Sequence, residues 1–258
     1  MKRIVSVVTL AFLLFAIPVL WAQGNFYDEL KKQGEAQIEE AAKPIVEAFG
    51  TGVSGGIYHT AGTHGVLGFD LGVRVMMVFV PDGKSDILDS AEVTLFPVPV
   101  VQGSIGLPLD AELMLRGFAI NFEDESISLI GVGLKKNFKP LLPIPGFPNL
   151  SAMVAYHRFK GSDIMTSNHL ALAVIVSKKF MIIEPYAGIG MQRTSMNFKY
   201  TYVDPNLPPV EIDTTIKAST ANFNVGLNIV PFPFVRIFAD YSFGRFKEAT
   251  VGLAVGIR

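Results

Sequence analysis

Between residues 65 and 80 every odd-numbered position, Gly65, Leu67, Phe69, Leu71, Val73, Val75, Met77 and Phe79, is glycine or apolar, while the even ones include Gly68, Asp70, Gly72 and Arg74. Successive side chains of an extended chain point to opposite faces, so a period of two describes a strand with one apolar face. The pattern recurs. Ala221, Phe223, Val225, Leu227 and Ile229 alternate with Thr220, Asn222, Asn224, Gly226 and Asn228; Val235, Ile237, Ala239, Tyr241 and Phe243 alternate with Arg236, Asp240, Ser242 and Gly244. Val251, Leu253, Val255 and Ile257 close the chain in the same way. Weaker alternation covers residues 91–103, 111–120, 126–136, 150–160, 169–180 and 183–199, which makes about ten strands from residue 65 to the end.

Alternation serves a soluble β-sandwich as well as a membrane barrel. Three features choose the barrel. The face opposite the apolar one carries Gly, Ala, Ser and Asn rather than Lys and Glu, as a confined lumen would. The apolar faces are too many for one small core, in a chain with 50% hydrophobic residues, 17% charged ones and a mean hydropathy of +0.39. The chain also carries an export signal. Lys2 and Arg3 precede an apolar run from Ile4 to Leu20, with Pro18 near its end and a cleavage site read after Ala22; a retained membrane anchor is the alternative. After that run no apolar stretch approaches the roughly 20 residues a spanning helix needs. A closed antiparallel barrel is the remaining way to satisfy every backbone group in lipid. The fold read from the sequence is therefore an all-β transmembrane barrel of about ten strands, or 12, with a short N-terminal helix. Residues 1–22 are the signal, 23–64 a helix and glycine-rich segment, and 65–258 the barrel of a Gram-negative outer membrane.

Aromatic residues gather at strand ends, with Phe180, Phe232 and Phe234 at short turns and Tyr200, Tyr202 and Phe243 toward the other rim, as an interfacial girdle requires. Short connections at 107–109, 178–181 and 230–233 alternate with longer ones at 81–90, 161–168 and 203–211. That order puts the C-terminus in the periplasm, with the proline-rich stretch at 138–149 a long exception on the periplasmic side.

Residues 25–48 read as a helix with a break at Pro44, wet on most sides, that is periplasmic or enters the lumen. The stretch after it contains Gly50-x-Gly52-x-x-Gly55, the spacing of a dinucleotide loop. Such a loop must follow a strand and open a helix, and this one follows a helix and leads into a strand. No nucleotide is expected. Gly50, Gly52, Gly55 and Gly56 instead permit close backbone approach in a plug or rim segment, an irregular first strand of a larger barrel being the alternative.

A barrel of about ten strands has a narrow or occluded lumen. Inward-facing candidates are Asp70, Arg74, Glu112, Arg116, Glu184, Gln192, Arg236 and Asp240, with balanced signs; they form either a neutralising network or a solute-selecting constriction. Pro97 and Pro99 remove two N–H donors on one side of one strand, which weakens its ladder to a single neighbour. The expectation is a lateral gate with Phe96 and Val98 on its lumenal side, through which an apolar ligand moves from lumen to bilayer; an edge bend is the alternative. The barrel as a whole is read as passing a small or apolar solute through a narrow lumen, with a sealed structural or interaction barrel as the alternative. A formal net charge of −1 nominates no nucleic acid. Cysteine is absent, which excludes disulfides and thiolate sites. His59 with His64, and His157 with His169, read as solvated loop histidines without carboxylates at metal-ligand spacing, so no metal and no cofactor are expected. No compact Ser, His and acid constellation is legible, and the chain is not read as an enzyme.

The sequence resembles a family of bacterial outer-membrane barrels of unknown function. The resemblance rests on Phe49-Gly50-Thr51-Gly52-Val53-Ser54-Gly55, Tyr58-His59-Thr60-Ala61, His64 followed by Gly68-Phe69-Asp70-Leu71, Gly106-Leu107-Pro108, Leu113-Met114-Leu115-Arg116 and Pro145-Gly146-Phe147-Pro148. A fainter similarity is to outer-membrane fatty-acid transporters, which also put an N-terminal segment in the barrel mouth. The family implies outer-membrane lipid and the barrel-assembly machinery as partners, and it supplies no substrate or catalytic residue. Many such barrels end on an aromatic residue that the machinery recognises, whereas this chain ends Val255-Gly256-Ile257-Arg258.

Overall fold

The computed structural model describes residues 35–122, 125–138, 146–161, 164–202 and 209–257. The signal read at 1–22 with its cleavage after Ala22, the first ten residues of the helix read at 25–48, and most of the proline-rich connection lie outside them. Ten strands follow in order: β1 (Phe69–Phe79), β2 (Leu95–Leu107), β3 (Ala111–Phe122), β4 (Glu125–Asn137), β5 (Asn149–Gly161), β6 (Met165–Ser177), β7 (Ile183–Tyr202), β8 (Val210–Phe232), β9 (Val235–Gly244) and β10 (Lys247–Ile257). Each pairs antiparallel with its neighbours in sequence, and β1 closes on β10 from Phe69↔Ile257 to Phe79↔Lys247. The barrel has ten strands, so the larger alternative of 12 does not hold.

Closure removes every sheet edge along the shared length of the strands, and period two then decides what faces where. The odd residues of β1 and the even residues of β6 point out, while their alternates are buried. Every strand carries an outward apolar stretch, with Leu115 57% and Ile130 69% exposed, while the extensions of β7 and β8 beyond it turn polar residues such as Lys199, Asp213 and Lys217 outward. Soluble monomers rarely expose contiguous apolar patches beyond a few hundred Å². A band that encircles the whole barrel is matched by hydrocarbon, and strands of 10 to 13 residues such as β1, β6 and β9 have the length to cross it.

Several sequence readings are corrected in detail. The first strand starts at Phe69 rather than at residue 65, because residues 65–68 fold at the rim: Gly68 N–H donates to Gly65 O at 2.8 Å and Leu67 takes φ 66°. The strand read at 220–229 is the inner part of β8, which runs from Val210. The connection read as long at 161–168 is short, since β6 begins at Met165, and short links occur at both ends of the barrel. Turn length therefore orients it only through the longest connection, residues 80–94, which lies at the rim opposite Ile257 as an outer loop would. Tyr200 is buried inside rather than standing in a girdle, while Phe180, Phe232 and Phe234 at one rim and Phe79, Tyr241 and Phe243 at the other are exposed or edge-packed.

Helix α1 (Glu35–Ser54) lies inside the barrel. It runs through Pro44 without the expected break and takes in Gly50 and Gly52. Proline removes one intrahelical N–H bond, but burial of Ile38, Ala42, Ile45, Val46, Phe49 and Val53 against the wall outweighs that loss. From Pro44 onward the helix is thus enclosed, not wet on most sides, while Glu39, Glu40 and Lys43 nearer its start are exposed. A second helix, α2 (Asp86–Ser90), sits in the β1–β2 loop; Ser85 caps it by accepting from Leu88 N–H at 3.4 Å, and Ile87 and Leu88 are buried on α1.

Candidate functional site: a plugged lumen and a seam in its wall

Depth in the lumen follows chain order along the plug. At the mouth beside the β1–β2 loop, Ser85 Oγ donates to Ala41 O at 3.2 Å, and Arg245 in the β9–β10 turn pairs with Glu47 at 3.1 Å. Lower down, α1 packs its glycines against the wall. A Cβ on Gly52 would stand 2.8 Å from Val98 Cγ2 and 3.1 Å from Val78 Cγ2, so the helix axis approaches β1 and β2 only because that carbon is missing. Ser54 bonds to Gln192.

The helix then ends at Ser54, and two arginines take the carbonyls of the two glycines that follow it. Arg116 Nη1 donates to Gly55 O at 3.1 Å and Arg74 Nη1 donates to Gly56 O, with Gly56 at φ +54°. Cations suit a helix C-terminus, where unpaired carbonyls concentrate partial negative charge. Below them Gln102 Nε2 reaches Ile57 O at 3.3 Å, and Tyr58 donates to Asn224 Oδ1 at 2.6 Å. Thr60 donates to Glu184, which also accepts from Ser177 at 2.8 Å and Asn228 at 3.4 Å. Ala61 N–H donates to Ser177 Oγ at 3.0 Å, and its carbonyl accepts from Asn137 at 3.0 Å and from Ser151.

At the far rim His64 bridges two carboxylates. Its Nδ1 is 2.7 Å from Glu112 Oε2 and its Nε2 is 3.2 Å from Asp70 Oδ2, while its backbone N–H also donates to Glu112 at 3.1 Å. Lys135 Nζ completes the group at 2.9 Å from Glu112, and Arg236 stands 3.9 Å from Asp70. His59 stacks on Phe238 with ring centroids 4.7 Å apart, and Arg74 lies over the same ring at 4.9 Å. Asp240 accepts from Tyr186 at 2.8 Å. A void beside Tyr58, Gln192, Asn224, Asp240 and Glu248 measures about 20 Å³, room for a water molecule rather than a solute.

All seven charged residues chosen from the sequence, Asp70, Arg74, Glu112, Arg116, Glu184, Arg236 and Asp240, are buried and inward, as is Gln192. Most of them hold the plug rather than one another. Lys135, Glu248, His59, His64, Tyr58 and Tyr186 were missed. Parity offered two of these: counting back from Thr250 puts Glu248 inward, and outward Ile130, Val132 and Leu134 put Lys135 inward. The histidines are a correction. His59 and His64 are plug residues, His157 and His169 face each other across β5 and β6 with rings 5.6 Å apart, and all four are buried rather than solvated.

The second feature is in the wall. β1 pairs with β2 along its whole length, through Pro97↔Met77 and Pro99↔Val75, whereas β2 pairs with β3 only from Val101↔Gly117 to Leu107↔Ala111. β3 itself continues with β4 to Phe122↔Glu125. Alternate residues of an antiparallel strand bond to opposite neighbours, so the donors missing at Pro97 and Pro99 are those directed to β3. The two strands part there. Behind the parting lie Val98, buried, and Phe96, whose ring is 6.4 Å from Phe49 of the plug; Phe49 in turn packs on Phe159 at 4.7 Å.

A closed antiparallel barrel with an apolar exterior and a lumen filled by its own chain defines the class: an outer-membrane-type β-barrel protein. Within that class, the chain belongs to a family of unknown function, DUF6588, whose model matches residues 1–88 and 85–257. Comparison with curated proteins finds no match. Among solved structures it is similar to the N-terminal β-barrel domain of Pseudomonas aeruginosa OprF, at 12% identity over 75% of this chain and 99% of that one, with a TM-score of 0.33. It is also similar to the Escherichia coli outer membrane protease OmpT, at 10% identity over 74% and 95% with a TM-score of 0.41. The Ralstonia pickettii toluene transporter TbuX matches at 8% identity over 89% and 99% with a TM-score of 0.33.

Proposed function

We propose that the protein is an integral outer-membrane barrel, exported on residues 1–22 with its C-terminal strand end in the periplasm, and that a small apolar solute passes between its lumen and the surrounding lipid at the β2–β3 seam. The observation that carries this reading is the β2–β3 ladder, which stops at Val101↔Gly117 with Pro97 and Pro99 just beyond. Strands in a bilayer hold together through their ladder bonds, so a stretch without them is where the wall separates at least cost. The seam opens on Phe96, Val98, Phe49 and Phe159, an apolar lining that a polar solute would not enter.

A sealed barrel is the competing reading, favoured by the many plug-to-wall bonds and the water-sized void. Transfer of a pyrene-labelled hydrocarbon across vesicles containing the protein separates the two. The wild type is expected to transfer it, and Pro97→Val/Pro99→Val, which restores both donors, to fall to the level of empty vesicles. Equal transfer by both proteins excludes the seam, and wild-type transfer no greater than that of empty vesicles leaves the barrel sealed.

A further inference from the structure

Ten strands bring the start of β1 and the end of β10 to one rim, where Phe69 pairs with Ile257. The plug adds a passage of its own. Along β7 it meets Thr194 at Gly50, Gln192 at Ser54 and Glu184 at Thr60; along β3 it meets Arg116 at Gly55 and Glu112 at His64. Both series descend without reversal from the β1–β2 loop, which Ala41 touches, to the rim where Gly106 N–H donates to Gly68 O at 2.8 Å. Helix α1 alone has 20 residues, about 30 Å at 1.5 Å per residue, which is the thickness of a bilayer's hydrocarbon.

From this threading we infer that the chain crosses the membrane eleven times, ten as strands and once through its own lumen, so that the start of α1, where Glu39 and Glu40 are exposed, stands on the opposite side from Ile257. With Ile257 periplasmic, the start of α1 is presented at the cell exterior. The inference rests on the membrane reading above. An even strand number brings the start of β1 and the end of β10 to one side, and the plug carries the start of α1 to the other. The described residues suit the position: Glu39, Glu40 and Lys43 are exposed charges at this end of α1, whereas its far end is buried.

The absence of cysteine from the chain makes the test direct. Glu39→Cys in α1, Lys84→Cys in the β1–β2 loop and Lys179→Cys in the β6–β7 turn are expressed singly in the full-length protein and exposed to a membrane-impermeant maleimide. Positions 39 and 84 are expected to label on intact cells, and position 179 only after the outer membrane is opened. Labelling of position 39 with position 179 rather than with position 84 overturns the threading. If positions 84 and 179 label alike, or position 179 alone labels on intact cells, the membrane orientation fails instead. Dipolar distances in purified Glu39→Cys/Lys84→Cys and Glu39→Cys/Lys179→Cys then decide the threading independently: the first pair must be the closer, and the reverse order overturns it.

Discussion

The half of the lumen beside the β1–β2 loop and the half beside the β2–β3 turn enclose the same plug but hold it by different chemistry. In the first, Ile45, Val46, Phe49 and Val53 of α1 pack on Met76, Val78, Val98, Phe159, Phe198, Ile212 and Ile216. In the second, a smaller apolar cluster of Ile57, Tyr58 and Ala61 with Met114, Met153 and Ile175 is surrounded by the polar groups that fix residues 55–64, namely Arg116, Arg74, Gln102, Glu184, Asn137, Glu112 and Lys135. Apolar packing is roughly proportional to area and indifferent to direction, so a helix can shift within it. Buried charge pairs and hydrogen bonds tolerate no such shift, because a group that loses its partner stays desolvated. The seam in the wall lies over the half that can adjust.

Four substitutions probe that contrast, in falling order of expected effect on the unfolding midpoint in detergent. Glu112→Ala leaves Lys135 buried without its carboxylate and His64 with Asp70 alone, and is expected to cost about 3–5 kcal/mol. A cost below about 1 kcal/mol would mean that water already serves the polar half. Phe49→Ala removes the ring that links Phe96 to Phe159; the expected loss is about 3 kcal/mol, unless the apolar half closes over the cavity. Gly52→Leu forces α1 off Val98 and Val78 and should cost about 1–3 kcal/mol, with the polar half unmoved as judged by protection of the Ala61 amide from exchange. Arg245→Ala removes an ion pair whose arginine is 51% exposed, and solvent screening holds its effect to less than about 1 kcal/mol.

How much of this was legible follows from where period two survives. Leu71, Val73 and Val75 against Asp70, Gly72 and Arg74 mark both faces of β1, and such segments yielded the strand number, the outward face and the inward charges. Farther along the same strand Met76 and Val78 face in while Met77 and Phe79 face out; both are apolar, so the period vanishes where the lumen itself turns apolar. That half was therefore read as polar like the rest. The helix through Pro44 was illegible for a related reason: a local rule predicts a break, and the enclosing wall, built from residues far away in sequence, overrides it. Pro97 and Pro99 announced two lost donors, but only the pairing of β2 with β1 showed that β3 is the neighbour deprived of them. The histidines looked solvated because nothing in their own neighbourhood reveals that they line or enter a lumen.

The pairing of β1 with β10 joins Phe69 to Ile257, while every other junction of the wall lies between strands adjacent in sequence. Hairpins between adjacent strands form readily, and the most distant pair carries the largest entropy of closure and forms last. Yet the segment that occupies the interior precedes all ten strands in the chain. The last strand is thus met by the one to which the interior segment is tethered, so that the final hoop of the wall is fastened at the root of the mandrel it surrounds.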